Sequence, residues 1–232
     1  MSEGNDNDFK ALYSGFSDPI FQEDCGNRCG PYNEKGVPFC CDIRHVIPTA
    51  YSLEWDYLKS STNLWHLWIS EDKSDMEEMQ DEIPERQVLI ACLGYLNCQR
   101  EYRAVTCRSF PFFPYFSRES NFIGFSYYWE FEDRCWIISN LHTVSRMYCS
   151  QFFQTYQTIF ENYPEEIENY CYQSHLMRCI FKKNRRAITL LDRNGYFYKI
   201  SPQNGRMRKT APEDLQKYGP YAIASRMPFA DE

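Results

Sequence analysis

The chain has 232 residues, 43% of them apolar, and a formal net charge of −7. That length can bury a core as one large domain or two small ones. The negative charge argues against a nucleic-acid partner, because non-specific binding to a polyanion depends on positive charge. No stretch approaches the roughly 20 apolar residues that cross a bilayer, and Met1 to Phe9 is acidic and polar where a secretory signal is cationic and apolar. A membrane partner is therefore not expected, and the expected location is the cytoplasm.

In chain order, residues 1–18 read as a mobile polar tail. Asp24 to Pro48 is broken by Gly26, Asn27, Gly30, Pro31, Asn33, Gly36, Pro38 and Pro48, which excludes a regular element of any length. A loop this long inside a compact domain needs an organiser. Ser52 to Trp68 spaces Leu53, Tyr57, Leu64, Trp65 and Trp68 as a helix does, with a break near Ser60-Ser61. Between Glu71 and Arg86 eight acids stand against two bases, the mark of a solvated loop or helix face. Val88 to Leu96 is a short apolar run suited to a buried strand or turn that delivers Cys92 and Cys98. Proline bars a helix interior from Phe110 to Pro114, and a strand is expected from Phe122 to Phe131. Ser139 to Asn162 and Pro164 to Lys183 read as two helices joined around Asn162-Tyr163, with Pro164 at a helix start. Ala187–Asp192 and Tyr196–Ser201 flank Asn194-Gly195 in the pattern of a hairpin.

The 11 cysteines stand out. In a reducing cytosol, thiols point to metal before disulfides. One cluster is Cys25-x3-Cys29-x10-Cys40-Cys41, and a second is Cys92-x5-Cys98-x8-Cys107 with Cys135 further on. Close spacing brings two thiolates to one ion from a short arc of backbone. Cys40 and Cys41 meet one ion only from a turn, since neighbouring side chains of an extended strand face opposite ways. Otherwise they serve two sites, or one of them is a spectator. Eight thiolates admit two sites of four, or one site with free thiols left over.

The segment from Cys92 through Phe112, with Cys98, Tyr102, Arg103, Cys107, Arg108, Phe110 and Pro111 in their places, resembles the cysteine-cluster proteins of the YkgJ-type zinc- or iron-chelating domain family. That family also carries a Cys-Cys doublet, which falls on Cys40 and Cys41, and a later cysteine, which falls on Cys135. The resemblance spans about residues 25–135. It departs in the distance from Cys29 to the doublet, in Ala104 where the family has proline, and in Tyr102, one residue further from Cys98. The resemblance implies zinc or an iron–sulfur cluster held by Cys25, Cys29, Cys40, Cys41, Cys92, Cys98, Cys107 and Cys135. Relatives described as flagellin lysine N-methylases imply, as the alternative, an iron–sulfur-dependent protein-modifying enzyme.

Around these ligands, Arg28, Arg44, Arg103, Arg108 and Arg134 are expected to offset thiolate charge. His45, four residues past Cys41, is a substitute ligand of lower standing. Cys149, Cys171 and Cys179 lie on the two helices among large apolar residues, where packing is the expected role. From Lys182 to Lys209 nine bases stand with one acid, and this end of the molecule is where an anionic ligand is sought. The expected fold is α+β: a mobile tail (1–18), a metal-organised cysteine-rich region (19–138) and a helical hairpin with a short C-terminal β-hairpin (139–232), the last two packed as one unit. The expected function is metal or cluster handling, or a scaffold for a protein partner.

Overall fold

The computed structural model describes residues 6–70, 79 and 83–224. The fold is α+β, with two antiparallel sheets. It begins with helix α1 (Asp6–Gly15). Phe9, Leu12, Tyr13 and Phe16 recur at the i, i+3, i+4, i+7 spacing of one helix face, and Phe9, Tyr13 and Phe16 are buried. The expectation of a mobile tail over 1–18 is thus corrected. Burying each large apolar side chain stabilises by roughly 1.5–3 kcal/mol, enough to dock a segment whose remaining residues are polar.

Strands β1 (Thr49–Tyr51), β2 (Trp65–Leu67) and β3 (Gln87–Cys92) form a three-stranded sheet in the order β1-β3-β2. Helix α3 (Ser52–Ser61) lies between β1 and β2 in the chain; a first short helix, α2 (Gly26–Cys29), precedes them. The helix expected to run to Trp68 therefore stops at the Ser60-Ser61 break, and Trp65 pairs with Cys92 across the sheet. The acidic run at 71–86 lies outside the described residues except for 79 and 83–86.

Glu54 ties this half together. Its carboxylate accepts the Tyr13 hydroxyl of α1 at 2.6 Å, the Val105 N–H at 2.6 Å and the Tyr51 N–H at 3.2 Å. Val105 opens helix α4 (Val105–Ser109), so the carboxylate satisfies an N–H that has no partner within that helix. Burial pushes the Glu54 carboxyl above the usual range, opposed by the three donors.

The second sheet has five strands in chain order: β4 (Phe112–Phe116), β5 (Phe122–Tyr127), β6 (Ile188–Leu191), β7 (Phe197–Ile200) and β8 (Met207–Thr210). Pro114 sits in β4, an edge strand, where its missing N–H costs no ladder bond. The C-terminal hairpin expected from Asn194-Gly195 exists as β6 and β7, but it is the middle of this larger sheet and gains β8. Helix α5 (Trp136–Ser139) is a single turn. Helix α6 (Arg146–Asn162) starts later than the expected Ser139, because the Ser145 hydroxyl caps it by accepting the Tyr148 N–H at 2.9 Å. Helix α7 (Glu165–Lys183) follows after Tyr163-Pro164 and packs on β4. A last helix, α8 (Gly219–Ala224), ends the described chain. Among the described residues no helix is long and apolar enough to cross a membrane.

The core between α6, α7 and the large sheet is mostly rings. Phe125 and Phe152 stand 4.4 Å apart, Phe152 and Tyr156 4.6 Å, and Phe112 meets Phe125 edge-on at 5.0 Å. The large sheet depends on one close approach: a Cβ at Gly124 would lie 2.3 Å from the Leu191 carbonyl oxygen, at a φ of 155°. Gly124→Ala is expected to destabilise the chain by about 1–3 kcal/mol. Gly15→Ala, which meets no atom within 4 Å, is expected to leave the urea midpoint nearly unchanged. Equal midpoints for the two variants would contradict the β5–β6 packing.

Candidate metal centre

Seven of the eight predicted cysteines lie at the end of an element or in a tight turn, and Cys107 lies in the middle of α4. Cys25 precedes α2 and Cys29 closes it. Cys40 and Cys41 occupy a 3₁₀ turn over Phe39–Cys41. Cys92 ends β3, Cys98 follows a 3₁₀ turn over Tyr95–Asn97, Cys107 lies within α4, and Cys135 precedes α5. All are free thiols.

Polar contacts fix the loops that carry them. Asp42, next to the doublet, accepts from the Arg44 guanidinium at 2.7 Å and from the Asn33 side-chain amide at 3.1 Å. Arg44 holds the Asp42 carboxyl well below the usual carboxylate range, with Asn33 assisting. Trp65 Nε1 donates to the Tyr102 carbonyl at 2.7 Å. Arg108 binds four backbone carbonyls: Arg103 at 2.8 Å, Glu101 at 2.6 Å, Tyr13 at 3.2 Å, and Phe16. Its guanidinium also lies 4.2 Å from the centroid of the Tyr13 ring. This corrects the expectation that Arg108 offsets thiolate charge; its planar fork of donors gathers α1 and the 99–104 loop instead.

Of the five arginines expected beside the thiols, only Arg103 donates to a sulfur, through Nε to Cys98 Sγ at 3.1 Å. Arg28 pairs with Glu23, Arg44 with Asp42, and Arg134 with Asp133. The Arg103 charge also acts on Cys25, Cys41 and Cys107.

Cys25, Cys40, Cys41, Cys98 and Cys107 line one cavity of about 670 Å³, together with His45, Arg103 and a wall of rings that includes Phe110, Tyr128, Tyr156 and Tyr170. Cys25, Cys29, Cys40 and Cys135 line a second, small cavity of about 30 Å³. Cys40 and Cys41 sulfurs are 3.9 Å apart. Burial raises most of these thiols: Cys25 is pushed up to about 11, and Cys29, Cys92, Cys107 and Cys135 also rise. Within the doublet the Cys40 proton is shared toward Cys41, so Cys40 rises and Cys41 falls, with Arg103 favouring the Cys41 thiolate.

Three sulfurs also receive backbone N–H groups, which favour the thiolate: Phe39 to Cys29, Gly94 to Cys92, and Ile138 to Cys135. Gly94 adopts φ 90° to turn the chain after Cys92, a conformation natural only to glycine. Among the described residues, no three cysteine, histidine or carboxylate side chains stand arranged as a formed metal-binding group. The sulfurs thus share a neighbourhood but not one coordination sphere.

The remaining residues singled out in the sequence fall elsewhere. His45 lines the large cavity and packs its ring 5.2 Å from that of Phe39. Cys149 is fully buried, as packing requires, whereas Cys171 is half-buried and Cys179 exposed. The packing role expected for Cys179 is corrected: helix α7 turns it outward, 3.4 Å from His175 Nε2. Of the bases of 182–209, Lys199 stands across from Arg208 in the β7–β8 ladder. Arg186 pairs with Glu132, Lys199 donates to the Asp214 carbonyl, and Lys209 sits over the Tyr196 ring.

No family model matches the chain, and no curated protein or solved structure matches it. Its chemistry has to be read from its own residues.

Asp42→Asn is expected to flatten the acid limb of the stability profile. The native Asp42 pKa is depressed, so the native chain binds fewer protons than the unfolded chain. The contribution is present above the ordinary carboxyl pKa of about 4 and is lost as pH falls through the lower native value. Urea denaturation from neutral pH to about pH 2 reads this, and an acid limb identical in variant and wild type would contradict it.

Proposed function

We propose that this chain is a metal-binding cysteine-cluster protein, with zinc or iron–sulfur held by thiolates from Cys25, Cys29, Cys40, Cys41, Cys92, Cys98, Cys107 and Cys135. The observation that carries the reading is that seven of these free thiols, all but Cys92, come from segments up to 110 residues apart in the chain (135 − 25) and line two neighbouring cavities. Buried free thiols are common singly. Seven around two adjoining cavities, with backbone groups favouring the thiolate at Cys29, Cys92 and Cys135, are better explained as a soft-metal donor set.

Structural thiolate sites hold zinc in a closed tetrahedron, and iron–sulfur clusters take the same ligands. A metal held by several thiolates supplies apparent binding free energies on the order of 10 kcal/mol or more. Set against a domain stability of roughly 5–15 kcal/mol, such a metal would organise the 24–48 loop and its packing on the helices and sheets. The role that follows is metal or cluster handling in the cytoplasm, or a rigid scaffold for a protein partner. The resemblance of the 92–112 block to YkgJ-type proteins points the same way.

The large cavity favours a second reading. At about 670 Å³, walled by Phe110, Tyr128, Tyr156 and Tyr170 and edged by thiols and Arg103, it has the size and mixed lining of a small-molecule or side-chain site. An iron–sulfur-dependent protein-modifying enzyme, such as a protein lysine methylase, would place its reacting group there. An iron–sulfur centre next to that cavity would supply electron transfer or Lewis acidity. This chain's residues would bind and orient the substrate, and the ring wall would exclude water.

Anaerobic purification followed by metal analysis and an absorption spectrum separates the two. Stoichiometric zinc with no visible absorption is expected for the scaffold; iron with acid-labile sulfide and a brown colour would favour the enzyme. Cys107→Ser is expected to lower the metal content, and Cys171→Ser to leave it at the wild-type level. Equal metal in both variants would contradict the ligand set.

A further inference from the structure

Helix α7 carries a second group of reactive side chains, apart from the cysteine cluster. His175, Arg178, Cys179 and Lys182 stand at i, i+3, i+4 and i+7, so they share one face of the helix. Arg118, from the β4–β5 turn, and Pro202, which follows β7, stand opposite. These six residues line a pocket of about 320 Å³. We propose that the pocket is a thiol–disulfide exchange site, in which Cys179 forms a mixed disulfide with a low-molecular-weight disulfide that bears carboxylates.

Cys179 is exposed, and its sulfur lies 3.4 Å from His175 Nε2. With the ring proton on Nδ1, Nε2 accepts the thiol proton. The nucleophile in such an exchange is the thiolate. The proton passes to Nε2 and the Cys179 sulfur attacks one sulfur of the incoming disulfide. A new S–S bond forms as the old one breaks, and the other half departs as a thiolate that takes the proton back from His175. Cys179 is oxidised and the departing half is reduced, so the incoming disulfide is the oxidant and no other is required.

Charge selects the partner. Arg118, Arg178 and Lys182 line the pocket, and no carboxylate does. Arg118 donates to the Pro202 carbonyl at 2.8 Å and to the Gln203 carbonyl, and Arg178 donates to the Phe116 carbonyl at 2.7 Å. These bonds fix both guanidiniums without neutralising them, and each keeps further N–H donors. Glu119, next to Arg118 in the chain, accepts the Ser117 hydroxyl at 2.9 Å; its charge reaches both guanidiniums, but it stands outside the lining. Three cations against that one acid leave a face that draws anions. The volume lies at the lower end of the roughly 300–1,000 Å³ of small-molecule sites, which suits one half of a small disulfide. Cys171, two turns earlier on α7, is half-buried and takes no part in this pocket.

Incubation of the full chain, as purified, with limiting glutathione disulfide, followed by alkylation and peptide mass mapping, tests the site. The mixed disulfide is expected at Cys179 ahead of Cys171. The rate at Cys179 is expected to exceed that for the cationic disulfide cystamine by about tenfold, each referred to the same disulfide's reaction with free cysteine. Lys182→Gln is expected to bring this ratio toward one, and His175→Gln to slow both disulfides while keeping the ratio. Faster modification of Cys171, equal referred rates for the two disulfides, or a ratio unmoved by Lys182→Gln would overturn the proposal. Should Lys182→Gln fail to fold, the wild type in high salt decides: a ratio that falls supports the cationic pocket, and one that holds overturns it. The readout is independent of bound metal, so its failure leaves the reading of the cysteine cluster untouched.

Discussion

Crowding of thiols sets the terms for this molecule. Two unit charges 4 Å apart repel by roughly 4 kcal/mol at the effective dielectric of a protein surface, and the Cys40 and Cys41 sulfurs are 3.9 Å apart. The chain answers in part by sharing a proton between them and by placing Arg103 alongside. Burial keeps most of the thiols protonated, and one guanidinium would not balance eight thiolates. A fully ionised cluster requires added positive charge, and divalent or cluster iron and zinc are the cations that soft sulfur donors prefer.

The polar contacts around the cluster position it without entering it. Arg108 ties α1 to the 99–104 loop, Glu54 ties α1, α3 and α4 together, and Asp42 pins the end of the doublet turn. In each case a buried or half-buried charge satisfies several backbone or side-chain groups, so removing it would leave more than one of them unpaired. The large sheet and the α6–α7 hairpin supply the rigid wall against which these loops close. The cavity between loop and wall is lined by thiols on one side and by tyrosine and phenylalanine rings on the other.

Much of this was legible in the residues. Pro164, the Asn162-Tyr163 junction and Asn194-Gly195 marked the helical hairpin and the β6–β7 turn, because proline, asparagine and glycine impose local geometry that tertiary context seldom overrides. The cysteine spacing marked seven residues that line the two cavities. Helix α1 was also written, in Phe9, Leu12, Tyr13 and Phe16, but the acidic and polar residues between them weigh the composition toward a tail. Strand β8 left no such trace: Met207 to Lys209 are exposed, and the strand exists through pairing with β7 alone. The true task of Arg108 was hidden for a different reason. Spacing beside Cys107 says that a guanidinium is near the sulfurs, but only the three-dimensional path of α1 and the 99–104 loop shows four carbonyls converging on it.

X-ray absorption at the metal edge of the anaerobically purified full chain reads the coordination of sulfur to metal most directly. Bound metal is expected to show a first shell of sulfur only, four per ion at about 2.3 Å for zinc, with no short nitrogen or oxygen scatterer. A first shell dominated by nitrogen or oxygen, or a purified chain without stoichiometric metal, would contradict convergence of these thiols on an inorganic centre.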